Sequence, residues 1–235
     1  MSEDEYDPSE MLRDIERIFT SYEERNQCDF EDRDEGCPAI SGTYVLNRVL
    51  EDKVYRREFR LGVVLTDLIP HIYMLGEIEE IKKSGFNHFY EGGRCCLGTD
   101  VAVLISWGME YDIITFFENV VDPFLINTIS YREEGVAVMG ELGHGSRGME
   151  EYYCSLFAVP ETEIKQTVRR VYSILFTRLL PEEQICICRK NKFSDCNCSG
   201  KDFLKRAVKD QTLTKGFYND MRSIPWAKGI KYRKR

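Results

Sequence analysis

The chain predicts an α+β fold on three observations: an amphipathic helical pattern opens it, a block of strand-like segments follows, and helical patterns resume only after that block. Strands grouped together, rather than alternating with helices, pair antiparallel and pack one face against helices. With 235 residues, 43% hydrophobic and 12% aromatic, there is material for one core-bearing domain and an appendage.

The first helix starts near Asp7-Pro8-Ser9-Glu10. Asp7 suits the cap, Pro8 the first turn, and Glu10 stands three residues after the cap. Met11, Leu12, Ile15, Ile18, Phe19 and Tyr22 then share one face, which predicts a helix with an apolar stripe reaching Tyr22. Asp29 to Gly36 is acidic and reads as a linker. Thr43 to Val49 and Tyr55 to Leu65 read as antiparallel strands turning at Glu51-Asp52-Lys53, with Tyr55, Arg57, Phe59, Leu61, Val63 and Leu65 on one side. Pro70 to Met74 predicts a third strand, and Ile78 to Lys83 leads into a loop. Asp100 to Ser106 is a short apolar run. Tyr111 to Val121 reads as a helix ended by Asp122-Pro123. Five glycines between Gly135 and Gly148 predict an irregular loop, and Glu161 to Leu180 a long amphipathic helix with Ile164, Val168, Val171, Leu175 and Leu179 on its stripe. The segments divide as 1–36, acidic helix and linker; 37–180, main domain; and 181–235, a Cys-rich basic tail.

The chemistry concentrates in Phe86 to Gly98, where His88 is followed by Gly92-Gly93 and then Cys95-Cys96-Leu97. A thiol fixed in a loop and flanked by small or apolar residues suits a nucleophile; the same pattern also suits a small buried hydrophobe. His144, in the glycine-rich loop, reads equally as a general base or as part of a structural turn. No strong base stands beside Cys96 in sequence, which suits exchange of acyl groups between thiols better than attack on an amide.

Gly93-Arg94-Cys95-Cys96-Leu97, with His88 upstream, resembles the active site of ubiquitin-conjugating enzymes, which reads His-Pro-Asn, a short loop, then Gly-x-(Ile/Val)-Cys-Leu. In that register Cys96 takes the place of the catalytic cysteine and Cys95 the apolar position before it. Trp107 with the run from Tyr111 to Val121, and Ile69-Pro70-His71-Ile72 upstream, are similar to further landmarks of that family. Gly140 to Gly148 followed by Glu151-Tyr152-Tyr153 resembles its bacterial branch encoded beside cyclic-oligonucleotide anti-phage enzymes (CBASS). The resemblance covers about residues 40 to 160. It implies a ubiquitin-conjugating-enzyme-like fold: an N-terminal helix, an antiparallel meander, an active-site loop and C-terminal helices. It also implies a transferase whose Cys96 forms a thioester with the C-terminal glycine of a cyclic-GMP-AMP-synthase-like nucleotidyltransferase and regulates it. The loop from His88 to Cys96 is shorter than in the eukaryotic enzymes, and the family's oxyanion-stabilising asparagine falls on Tyr90. That role is left to Asn87, Tyr90 or backbone N–H groups. A non-catalytic binding module and a thiol hydrolase using Cys96 and His144 are the rival classes. The chain has neither a Gly-x-Gly-x-x-Gly strand-helix unit nor a P-loop, so either a separate activating enzyme exists or the protein belongs to the short operon type that lacks one.

Cys186-Ile187-Cys188 and Cys196-Asn197-Cys198 put four thiols within 13 positions, dense enough to fold round one tetrahedral zinc, with four free surface thiols as the alternative. Cys196 to Phe203 is similar to the opening of the zinc-binding SEC-C motif; its downstream ligands are missing here, and the upstream pair would replace them. The proposed catalysis needs no cofactor, and structural zinc is the one that the residues suggest. Nine cysteines, an acidic start and no long apolar run point to reduced thiols in the cytoplasm and away from a membrane. The net charge of −8 divides into −10 over residues 1–36 (4 basic, 14 acidic), −8 in the middle, and +10 over residues 186–235 (14 basic, 4 acidic). The opposite ends could meet each other, a charged partner or solvent; the terminal run Lys231-Tyr232-Arg233-Lys234-Arg235, with Tyr232 its only aromatic, argues for protein rather than nucleic acid.

Overall fold

The computed structural model describes residues 8–24, 37–140, 143 and 145–227. The acidic linker, His144 and the terminal Lys231 to Arg235 lie outside them. The chain is mixed α+β and divides into two compact units, Met1–Leu97 with Ser106–Glu141, and Gly98–Ile105 with Leu142–Arg235. Residues 142–180, which the sequence pattern groups with the sheet, share a unit with the Cys-rich segment.

In the first unit α1 (Pro8–Ile18) buries Met11 and Ile15. The predicted continuation to Tyr22 is corrected: Phe19–Glu24 is strand β1, paired antiparallel with β2 (Ala39–Leu50). Phe-Thr-Ser-Tyr is richer in strand formers than in helix formers. Phe19 stays buried, its ring 6.0 Å from that of Phe117, whereas Tyr22 is exposed. Gly42 makes this pairing feasible, since a Cβ there would stand 2.3 Å from the Phe19 ring. A two-residue turn at Glu51-Asp52 leads to β3 (Lys53–Val64), and β4 (His71–Met74) completes a four-stranded sheet of order β1-β2-β3-β4. Tyr55, Phe59, Leu61, Val63 and Leu65 are buried as their alternation predicts, while half-buried Arg57 pairs with Glu77.

α2 (Ile78–Lys83) follows, then the thiol loop. Downstream, Asp122-Pro123 does not end the helix. α4 (Ile113–Phe116) passes through a π turn at Phe117–Val121 into α5 (Asp122–Glu134). The Asp122 N–H bonds to the Phe117 carbonyl, five residues back. That wider turn accommodates a proline, which lacks an N–H and crowds the preceding turn of an α-helix. The stop comes at Gly135, whose φ of +73° is left-handed.

Asp122 is buried in this core, where it accepts the Tyr44 hydroxyl at 2.6 Å and Arg48 Nε at 2.5 Å. Burial pushes its carboxyl pKa up, and these two bonds oppose the shift.

The second unit is helical. α3 (Asp100–Trp107) begins in it, joined by α6 (Gly145–Phe157), α7 (Glu161–Thr177), α8 (Ser199–Ala207) and α9 (Gln211–Ser223). Part of the predicted glycine loop is therefore helix. Gly148 is there for close approach: a Cβ would stand 1.6 Å from the Gly143 carbonyl oxygen. On α7, Ile164, Val168, Val171 and Leu175 are buried; Leu179 is exposed because the helix has ended at Thr177, with Arg178 left-handed.

The buried Asp220 of α9 caps α3, accepting the N–H groups of Asp100 at 2.8 Å and Val101 at 3.1 Å, and it also accepts the Tyr153 hydroxyl at 2.6 Å. Burial, then the nearby Asp100 carboxylate, push its carboxyl up to about 7. Among the described residues no helix is long and apolar enough to cross a membrane.

Candidate functional site

The thiol loop is shaped by backbone pairing. Arg94 forms a bridge with Tyr73 of β4, and Cys95 donates its N–H to the Ile72 carbonyl at 2.7 Å, so the segment lies along the edge of the sheet. Phe89 bridges Cys95, Tyr90 N–H bonds Arg94 O at 2.8 Å, and Cys96 N–H bonds His88 O at 2.9 Å. The result is a tight hairpin with a turn of 3-10 helix at Glu91–Gly93. Gly93 is required at its close: φ is +86°, and a Cβ would stand 2.5 Å from Ile78 Cδ1 and 3.0 Å from the Met74 carbonyl oxygen.

Extended backbone sends successive side chains to opposite sides, and this separates the adjacent thiols. Cys95 is 4% exposed, and burial pushes its thiol well above the ordinary range. Cys96 is partly exposed. Its Sγ lies 3.5 Å from the hydroxyl of exposed Tyr90, over whose ring the Arg94 guanidinium sits 4.1 Å from the centroid. Arg94 Nη1 also stands 3.4 Å from His71 Nε2.

Of the residues that the sequence singles out, Tyr90 is therefore beside Cys96. His88 is buried, its ring 4.9 Å from that of Phe86, and its carbonyl anchors Cys96. Asn87 is exposed on the preceding stretch. Arg94 is the contributor that motif reading passes over, because stacking on a residue four positions back has no signal in spacing.

The second cluster assembles from two knuckles. Ile185 bridges Lys192, Cys186 N–H bonds Asn191 O at 2.8 Å, Arg189 N–H returns to Cys186 O at 2.9 Å, and Cys196 N–H bonds Phe193 O at 3.3 Å. The sulfurs of Cys186, Cys188, Cys196 and Cys198 all lie within 4.8 Å of one another. Cys186 and Cys198 are 3.6 Å apart, Cys188 and Cys196 3.4 Å. A disulfide needs about 2.0 Å. Four sulfurs at about 2.3 Å from one tetrahedral ion stand about 3.8 Å apart, so the donor set fits a thiophilic metal.

Backbone N–H groups of Cys188, Cys198 and Lys201 reach the sulfurs of Cys186, Cys196 and Cys198 and favour thiolate. At Cys196 burial opposes ionisation, but its N–H partner and neighbouring thiols outweigh it and bring the pKa down to about 7. At Cys186 burial dominates and pushes the thiol up; a bound cation would reverse that balance. Ile187, Phe193 and Phe203, near the cysteines in sequence, are buried. No protein-family model, curated protein or solved structure matches the chain.

Proposed function

We propose that the chain is a ubiquitin-conjugating-enzyme-like acyl carrier of bacterial anti-phage defence, acting in the cytoplasm. In this reading Cys96 forms a thioester with the C-terminal glycine of a cyclic-oligonucleotide synthase and so controls its signalling. The observation that carries it is the hairpin's division of labour, with Cys95 buried and Cys96 partly exposed beside a hydroxyl. The order of helix, four-stranded antiparallel meander, cysteine loop and helices supports the fold that the sequence resemblance implies.

In the transfer, Cys96 Sγ attacks the carbonyl of an already activated C-terminal glycine. A new C–S bond forms, the bond to the leaving thiol or nucleotide phosphate breaks, and the thiol proton departs with that group or to water. In this reading the Tyr90 hydroxyl, 3.5 Å from Cys96 Sγ, donates to the developing oxyanion. Cys186, Cys188, Cys196 and Cys198 would hold, as thiolates, one structural zinc, which would stabilise the fold around it and take no part in transfer.

The test is intact mass and non-reducing electrophoresis of the chain co-expressed with the synthase. The expected product is a one-to-one adduct cleaved by thiols and hydroxylamine, abolished in Cys96→Ala and retained in Cys95→Ala. An adduct that persists in Cys96→Ala, or a cleaved partner in place of an adduct, overturns the reading.

A further inference from the structure

Lys201 is 6% exposed, a depth at which an ammonium group requires compensation. Its Nζ donates to the Ser194 carbonyl at 2.7 Å and lies 5.5 Å from the centre of the Phe193 ring. Among the described residues it forms no ion pair with a carboxylate. One neutral carbonyl and one ring face are slight compensation for a buried charge.

Both ends of the residue are tied to the segment that carries the thiols. Its backbone N–H reaches Cys198, bonding the carbonyl at 2.9 Å and approaching the sulfur. Its side chain folds back onto Ser194, in the short connection between Cys188 and Cys196. A divalent ion held by four thiolates carries a net double negative charge in an apolar setting, which is as costly to bury alone as the ammonium. Close together, each would offset the other.

We propose that Lys201 is the built-in counter-charge of the Cys186, Cys188, Cys196 and Cys198 centre, a positioning residue that raises the affinity of that centre for a divalent, thiophilic cation without ligating it. The inference rests on the metal reading of the cluster. It assigns Lys201 a role in loading that the hydrogen bond to Ser194 alone does not require.

The measurement is competition of the full-length chain with a chelator for Zn²⁺, repeated with Co²⁺, whose absorption reports tetrahedral thiolate binding. Lys201→Gln keeps a side-chain donor for the Ser194 carbonyl and removes the charge; it is expected to weaken binding about tenfold, within the range of outer-shell substitutions, and to move metal release to higher pH. Lys201→Arg keeps the charge and is expected to stay within about threefold of wild type. Wild-type and K201Q affinities within about twofold of each other, or K201R as weak as K201Q, overturn the role of Lys201. If K201Q does not fold, K201R decides: a folded, metal-holding K201R supports the counter-charge, and failure of both overturns it. A wild-type chain that takes up no metal overturns the metal reading as well.

Discussion

Between Phe86 and Gly98 two adjacent cysteines part company, one buried and one partly exposed, whereas between Cys186 and Cys198 four thiols separated in sequence converge within 4.8 Å. Strand alternation does the first, and two knuckles plus the start of α8 do the second. The cores differ in a parallel way. Asp122 of the first unit is met by a cation, Arg48; Asp220 of the second is met by backbone N–H groups and a hydroxyl, with the Asp100 carboxylate nearby. The same residue type therefore meets different surroundings in the two units, set by which donors and charges the fold brings to it.

The largest effect that can break this comparison lies in the four-thiol cluster. Replacing Cys186 and Cys198 together by Ser is expected to abolish metal binding and destabilise the second unit by more than about 4 kcal/mol, because buried knuckles of this kind depend on the ion. Metal content and hydrogen exchange along α8 read the result. Unchanged exchange would show that the helices hold the cluster, not the reverse.

Next in size is Asp220. Asp220→Ala leaves two N–H groups of α3 and the Tyr153 hydroxyl without their acceptor and is expected to cost about 3 kcal/mol by denaturant unfolding. Asp220→Asn tests the charge. The folded carboxyl keeps its proton to about 7, while an unfolded aspartate loses it near 4. Between those values the folded state binds more protons, so this group's contribution to stability is fullest at low pH and declines as pH rises from about 4 to about 7. The difference between wild type and D220N should follow that slope. A flat difference would mean that the N–H and hydroxyl donors hold Asp220 ionised throughout, as Arg48 favours for Asp122.

The smallest expected effect sharpens the contrast within the thiol loop. Cys95→Ala removes one buried sulfur and is expected to cost about 1 kcal/mol, leaving the loop intact. In folded wild-type protein a thiol alkylating agent should modify Cys96 far faster than Cys95, read by peptide mass. Equal rates would place both sulfurs in solvent and remove the basis for assigning Cys96.

Periodicity alone determined much of this protein. The period-two face of Tyr55 to Leu65 and the α7 stripe are properties of local side-chain order, and their apolar members are buried as predicted apart from Leu179, beyond the helix end; of the predicted turn Glu51-Asp52-Lys53, Lys53 already belongs to β3. The close grouping of the four distal thiols followed from their density in sequence. Tertiary structure decided what local order leaves degenerate. Phe19 could continue a helix or begin a strand, and pairing with β2 across Gly42 selected the strand. Pro123 reads as a stop, yet a π turn one residue earlier carried the helix past it. The positions of Arg94 over Tyr90, Asp220 at the head of α3 and Lys201 on the Ser194 carbonyl depend on contacts closed by the fold. Spacing in sequence records which groups are available; packing decides which of them lose water and which charges must then face each other.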